Sequence, residues 1–282
     1  MPVRDGEVAR ALRFTKMHGI GNDFIIIDAF RQAVDNPGAL AARLCDRHFG
    51  VGGDGLILAL PSDVADARMC VYNSDGGEAE MCGNGLRCLG KYLYDAGLCR
   101  KDRLRVETGA GVLALSIEAE NGLARQIAVD MGAPRFAPAE IPVASESNRV
   151  TLDAGGRTLR FFCVSMGNPH AVTFDLYPRD AEFTRLGALL ERHPIFPNRA
   201  NIEFCRLNDA GGADVRVWER GDGPTLACGT GACAVLAAGA SLGLLPRQAQ
   251  IRLPGGALDI RWEPNDHITM TGPAVTVFTG EL

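Results

Sequence analysis

The phrase Cys-Gly-x-Gly occurs twice, as Cys82-Gly83-Asn84-Gly85 and as Cys228-Gly229-Thr230-Gly231, 146 residues apart. Polar landmarks around it keep the same offset. Asn22 stands 60 residues before Cys82, in Gly-Asn-Asp, and Asn168 stands 60 before Cys228, in Gly-Asn-Pro. Asn73 precedes one cysteine by nine residues, and Glu219 precedes the other by nine. A constant offset at these landmarks implies two related halves, each delivering one cysteine to an equivalent place. Halves that face each other would set two thiols on opposite sides of one cleft. One chemistry that needs such a pair removes a proton from one face of a carbon and returns it on the other.

A chain of 282 residues is long enough for two units that each bury a core without disulfide or metal support. Net charge is −5, which gives no electrostatic case for nucleic acid or an anionic membrane. No apolar run reaches the ~18 residues of a membrane span. Met1 to Leu12 scatters its charges and has no apolar centre, so it reads as a poorly ordered extension rather than a secretory signal. The nine cysteines include no Cys-x-x-Cys and no pair at zinc-ligand spacing, so neither a disulfide framework nor a metal centre is expected. Cys45, Cys70, Cys99, Cys163 and Cys205 read as small buried hydrophobes.

The pattern predicts an α/β (α+β) chain of two pseudo-symmetric halves, each a curled, mostly antiparallel sheet around a central helix. Phe24–Ile27 reads as a buried strand, and Asn36-Pro37 starts a helix through about Cys45. Leu56–Leu60 and Arg68–Tyr72 read as strands. The helix after Cys82 carries Leu86, Leu89, Leu93 and Ala96 on one stripe and closes at Gly97. Strands at about 103–107, 112–118 and 125–131 complete the half. In the second half, Arg160–Val164, Ala171–Phe174, Ile202–Leu207 and Ala213–Trp218 are strand-like, and Asp180 is the expected cap of a helix ending near Pro194. The helix after Cys228 is apolar all round and must be enclosed on every side. Late strands fall at about 249–253, 257–262, 267–271 and 274–278. The division expected is 13–131 for the N-terminal half, joined by a last strand at about 273–282, and 132–272 for the C-terminal half. The linker falls within Gly132–Pro142.

Each cysteine stands at the start of a predicted helix. Unpaired amides and a positive partial charge there are expected to lower a thiol from about 8.5 toward neutrality, which suits a general base. The flanking glycines admit a ligand to the backbone, and exposed amides at a helix start bind an anion. Two such starts meeting at a point would hold one carboxylate and delocalise carbanion charge into it, so no cofactor is implied. His170 and Glu219 are candidate proton managers for the two sulfurs. Asn22, Asn73, Asn168 and Asn201 are candidate neutral contacts for a polar substrate. Cys88 and Cys233 fall in the helix bodies and read as core.

These segments are similar to the signatures of diaminopimelate epimerases. The resemblance is carried by Lys16-Met17-His18-Gly19-Ile20-Gly21-Asn22-Asp23-Phe24, Asn73-Ser74-Asp75-Gly76-Gly77 with the first cysteine phrase, Ser165-Met166-Gly167-Asn168-Pro169-His170, and Glu219-Arg220-Gly221 with the second. It implies cofactor-independent conversion of LL-2,6-diaminopimelate to the meso form, for lysine and cell-wall precursors. Cys82 and Cys228 would be the acid/base pair. Gly83, Asn84, Gly229 and Thr230 would hold the reacting end, and Asn22, Asn73, Asn168, Asn201, Glu219 and Arg220 would line the substrate, with Arg220 on a second carboxylate. A cytoplasmic homodimer, with the segment around Phe278 near the contact, is implied too.

One departure stands at Gly55, where some relatives of that family place a substrate-contacting glutamine. The competing enzyme reading is a proline or hydroxyproline racemase. It is disfavoured by Asn84, where those enzymes typically carry histidine, and by Arg220. A redox or metal-binding cysteine pair is the alternative from another class.

Overall fold

A computed structural model describes residues 11–282 of the chain. Residues 1–10, and with them most of the expected N-terminal extension, lie outside the described residues. Leu12 is already tied in, its carbonyl accepting a hydrogen bond from the backbone of Leu282 (2.9 Å).

The first half opens with β1 (Arg13–Gly19), β2 (Asn22–Asp28), α1 (Pro37–Cys45), β3 (Gly55–Leu60), β4 (Ala67–Asn73) and the two-residue β5 (Glu78–Ala79). Then come α2 (Gly83–Asp95), β6 (Arg103–Thr108), β7 (Gly111–Glu120) and β8 (Leu123–Asp130). The second half starts with β9 (Arg149–Asp153), β10 (Thr158–Ser165), β11 (Pro169–Thr173), α3 (Asp180–Glu191), β12 (Asn201–Leu207), β13 (Ala213–Glu219) and β14 (Gly223–Pro224). It ends in α4 (Gly229–Ser241), β15 (Gln248–Leu253), β16 (Gly256–Trp262) and β17 (Ile268–Gly272), and the chain closes with β18 (Val275–Glu281).

The 146-residue offset runs through the elements: β4 maps onto β13 and α2 onto α4, residue for residue. Pairing repeats as well. Antiparallel ladders dominate, and among the described residues parallel pairing is confined to β2–β3 and β4–β6 in one half and β11–β12 and β13–β15 in the other. The two sheets are not separate, because β8 pairs with β17 and makes them continuous. The last strand, β18, returns to pair with β1.

Helix α4 shows why the sheet must curl. Ala232 to Ala238 are all without exposure, and no face of the helix is polar enough to meet water. Helix α2 buries Leu86, Leu89 and Leu93 completely, each worth about 1.5–3 kcal/mol when fully removed from water. Both helices share one core cluster. Smaller clusters lie under α1 and α3.

Two expectations at the element level are corrected. Asp180 is the first residue of α3 rather than its cap; the cap position is Arg179, and the Asp180 carboxylate pairs with Arg216 instead (3.0 Å). Cys70 and Cys99 are half-buried, whereas Cys45, Cys163 and Cys205 are buried.

Candidate active site

Cys82 and Cys228 are the N-cap residues of α2 and α4, both in extended backbone conformation. Intrahelical bonding starts only at the Leu86 N–H to Cys82 carbonyl (2.8 Å) and the Ala232 N–H to Cys228 carbonyl (3.0 Å). The amides ahead of these positions are therefore left for side chains or a ligand. One cavity of about 930 Å³ is lined by both cysteines and by Gly83, Asn84, Gly229 and Thr230. Met270 lies under both helix starts. A Cβ on Gly83 would sit 3.0 Å from its Cε, and one on Gly229 would sit 3.0 Å from its Sδ. Glycine at these positions lets a ligand reach the amides without a side chain forcing Met270 aside.

Each sulfur has its own polar frame. In the first half, Asn22 donates from Nδ2 to Asp54 Oδ2 (2.7 Å), which turns its Oδ1 toward Asn84 Nδ2 (3.1 Å) and Cys82 Sγ (3.8 Å). Asn84 also donates to the Ala227 carbonyl (3.2 Å), one residue before the second cysteine, and so ties the two helix starts together. In the second half, Asn168 donates from Nδ2 to Thr230 Oγ1 (3.3 Å), and Thr230 Oγ1 lies 3.5 Å from Cys228 Sγ. The Gly231 N–H donates to the same sulfur (3.3 Å). Glu219 accepts from the Thr225 hydroxyl (2.6 Å).

The expected lowering of the thiols is corrected by the structure. Burial pushes Cys82 up, reinforced by the charge of Glu219. The Gly85 and Asn84 amides and Arg87 pull the other way and do not win. Burial pushes Cys228 further up, reinforced by Glu219 and Glu203 and opposed by Thr230 and the Gly231 amide. Sequence alone displays the helix start but not the loss of water around it, and here desolvation is the larger effect. Glu219 is raised by burial as well.

Asn22, Asn73, Asn168, Glu219 and Arg220 line the cavity with the two helix starts. Two candidates stand elsewhere. Asn201 is buried behind the wall, donating to the Pro169 carbonyl (2.8 Å) and accepting from the Arg220 backbone N–H (2.9 Å). It holds the Arg220 backbone rather than facing the cavity. His170 has no exposure. Its Nε2 faces Asn168 Oδ1 (2.9 Å) and its Nδ1 faces Glu203 Oε1 (2.6 Å), so Asn168 stands between it and the cavity.

Sequence reading missed Asp54, Arg47 and Glu203. Asp54 and Arg47 are on the cavity wall, bonded to each other at 2.7 Å. Asp54 directly precedes Gly55, the position of the noted departure. No side chain fits there without a shift, because a Cβ on Gly55 would lie 2.8 Å from the Tyr72 carbonyl. Glu203 gave a signal in the polar residue that interrupts the run Ile202 to Cys205 of β12.

Two cysteines on opposed helix starts, with amides free for a carboxylate and an inner polar frame for each sulfur, form a two-thiol site of a kind suited to proton exchange at carbon. The family model for diaminopimelate epimerase matches residues 14–137 and 162–277. The chain is 48% identical over 279 residues to the diaminopimelate epimerase of Acetivibrio thermocellus, covering 96% of this chain and 98% of that one. It is 50% identical over 275 residues to that of Methanococcus maripaludis, covering 96% and 99%. A hydroxyproline epimerase from Agrobacterium vitis, solved with trans-4-hydroxy-L-proline bound, shares the fold with a TM-score of 0.72 at 15% identity, over 98% of this chain and 93% of that one. The chain belongs to the diaminopimelate epimerase family.

Proposed function

We propose that Cys82 and Cys228 are the acid and base with which this chain interconverts LL- and meso-2,6-diaminopimelate, in the synthesis of lysine and of cell-wall precursors. The observation that carries the reading is the pair of cysteines on one cavity at the starts of two equivalent helices. A substrate carboxylate bound by the amides of Gly83, Asn84, Gly229 and Thr230 would place the α-carbon between the sulfurs. One thiolate takes the α-hydrogen while the opposite thiol supplies one. The amides stabilise the charge that moves into the carboxylate. Cys228 is buried and Cys82 half-buried, so a substrate seated between them would shut water off from both sulfurs and keep it from reprotonating the carbanion on the wrong face.

Asn22 and Asn168 orient Asn84 and Thr230, and His170 is a positioning residue behind Asn168. Arg220, exposed at the mouth, and the Arg47–Asp54 pair supply charges for the distal carboxylate and ammonium of a substrate with an amino acid at each end. A proline racemase would have no use for them. Solvent deuterium incorporation at the α-carbon of LL-diaminopimelate, with inversion, is the expected result. Turnover of proline with none of diaminopimelate would overturn the reading.

The working form we propose is a cytoplasmic homodimer. Among the described residues no helix is long and apolar enough to cross a membrane. Strand β18 exposes Val275, Val277 and Phe278 at the sheet edge beside β1, an apolar strip that a second copy would cover.

A further inference from the structure

Arg87 has no exposure and is among the largest side chains that the fold buries completely. It stands in α2, one turn past Gly83. Its Nε donates to the Pro273 carbonyl (3.3 Å) and its Nη1 to Met270 Sδ (3.5 Å). Its Nη2 is buried with no hydrogen-bond partner, and no carboxylate among the described residues pairs with it. Glycines make room for the guanidinium: a Cβ on Gly19 would stand 2.8 Å from Nη2, and one on Gly272 would stand 3.4 Å from Nε. The 146-residue offset maps Arg87 onto Cys233, so the second half has no matching cation. A buried charge without a counter-ion is costly to keep. The anion that this one lacks among its neighbours is the kind that the site itself takes up.

Met270 joins this charge to the helix starts. Its Sδ meets Nη1, and Cβ atoms on Gly83 and Gly229 would lie 3.0 Å from its Cε and its Sδ. One thioether side chain thus separates the guanidinium from the amides that hold the reacting end. We propose that Arg87 is a positioning residue for the reaction: it fixes one positive charge beneath both helix starts, facing the place of the substrate carboxylate and of the enediolate formed from it. The proposal rests on the acid/base reading of Cys82 and Cys228 and adds a charge that neither the cysteines nor the amides supply.

When the Cα–H bond breaks, the proton goes to one sulfur and the electron pair moves into the carboxylate, which passes from one formal negative charge to two. The opposite S–H bond then gives its proton to the carbon, and the charge on the oxygens falls back to one. Amides answer the extra charge with dipoles. A guanidinium answers it with a full charge, in a part of the protein closed to water and therefore little screened. Burial pushes Arg87 down from its ordinary value, and the thiols of Cys88, Cys82 and Cys233 pull it up. Those thiols, on α2, its cap and α4, are the titratable groups among the described residues that act on it; β1 presents Gly19, and β17 presents Met270 and Gly272. A guanidinium keeps its proton even so, whereas an ammonium in the same place would lose it near neutral pH. That difference accounts for arginine rather than lysine here.

Wild type, Arg87→Met and Arg87→Lys, compared in urea denaturation and in epimerisation of LL-diaminopimelate across pH, test this. Arg87→Met keeps much of the length and removes the charge. Its urea midpoint should equal or exceed that of wild type, because an unpaired charge has left the core. Its kcat/KM should fall about 30-fold or more. Arg87→Lys keeps the charge only while its ammonium is protonated. Near about pH 6 its kcat/KM should lie within about fivefold of wild type, and its ratio to wild type should fall toward that of Arg87→Met as the pH rises to about 8. The Arg87→Met ratio should stay level over the same range. A residue that merely fills the core would leave both ratios level. An Arg87→Met kcat/KM within about threefold of wild type, a level Arg87→Lys ratio, or misfolding of both variants would overturn the proposal. If Arg87→Met alone misfolds, the pH course of the Arg87→Lys ratio decides. Solvent deuterium exchange by wild type separates the two readings: exchange with an undiminished Arg87→Met sinks this inference alone, and no exchange by wild type sinks the acid/base reading.

Discussion

Cys228 Sγ receives the Gly231 amide at 3.3 Å and the Thr230 hydroxyl at 3.5 Å, and both contacts favour the thiolate against a burial that opposes it. Cys82 is opposed by burial too. Catalysis needs one sulfur in each state, so kcat/KM should follow a bell in pH. Because both thiols are raised, its rising limb lies on the alkaline side of neutrality, and kcat/KM should climb nearly tenfold per unit between about pH 6 and 8. A flat profile over that range would contradict the raised thiols. Cys82→Ala and Cys228→Ala should each cost about 10³-fold or more in kcat while leaving circular dichroism unchanged, since each removes a group that must transfer a proton. Thr230→Val removes one hydroxyl beside the sulfur and should cost about 10-fold, read as a fall in kcat.

At the level of elements, the strands and helices were legible where local pattern and burial agreed. The α2 stripe and the all-apolar α4 declared themselves because one faces a core on one side and the other on all sides. The cap of α3 does not show in the sequence, because Arg216, which holds Asp180, is remote along the chain. Strand β9 leaves little trace in the sequence, because its five residues offer only Val150 and Leu152 as inward positions. Cysteines, amide landmarks and Arg220 were legible in the motifs. The inward turn of His170 and Asn201 was not, because each is buried by partners from neighbouring strands.

Gly55→Gln forces a Cβ against the Tyr72 carbonyl of the paired strand and should cost about 1–3 kcal/mol in urea denaturation. Core thiols give the fold an alkaline limit. Burial pushes Cys88, Cys163 and Cys233 up to about 12 from 9.0. Between those values the folded state retains protons that the unfolded chain releases. Stability is thus fully present below pH 9, and is lost as pH rises from there toward 12. Cys163→Ala should lessen the slope of unfolding free energy against pH by about 1.4 kcal/mol per unit in that window. An unchanged slope would show that another group sets the limit.

For the molecule as a whole, we propose the division 13–131 with 273–282 against 132–272, supported by the return of β18 to β1. Phe278 packs edge-on against Phe14 (6.0 Å) while still half exposed, so β18 serves the first half on one side and offers a strip on the other. Val277→Lys should convert a dimer into monomers in light scattering; an unchanged mass would place the contact elsewhere.

Diaminopimelate turned over in deuterium oxide, with wild type, Cys82→Ala and Cys228→Ala compared side by side, is the most direct measurement. The wild-type product should carry one deuterium at the inverted carbon, and neither variant should invert its substrate. Inversion at a near wild-type rate by either single-cysteine enzyme would contradict a stereocentre held between two working thiols.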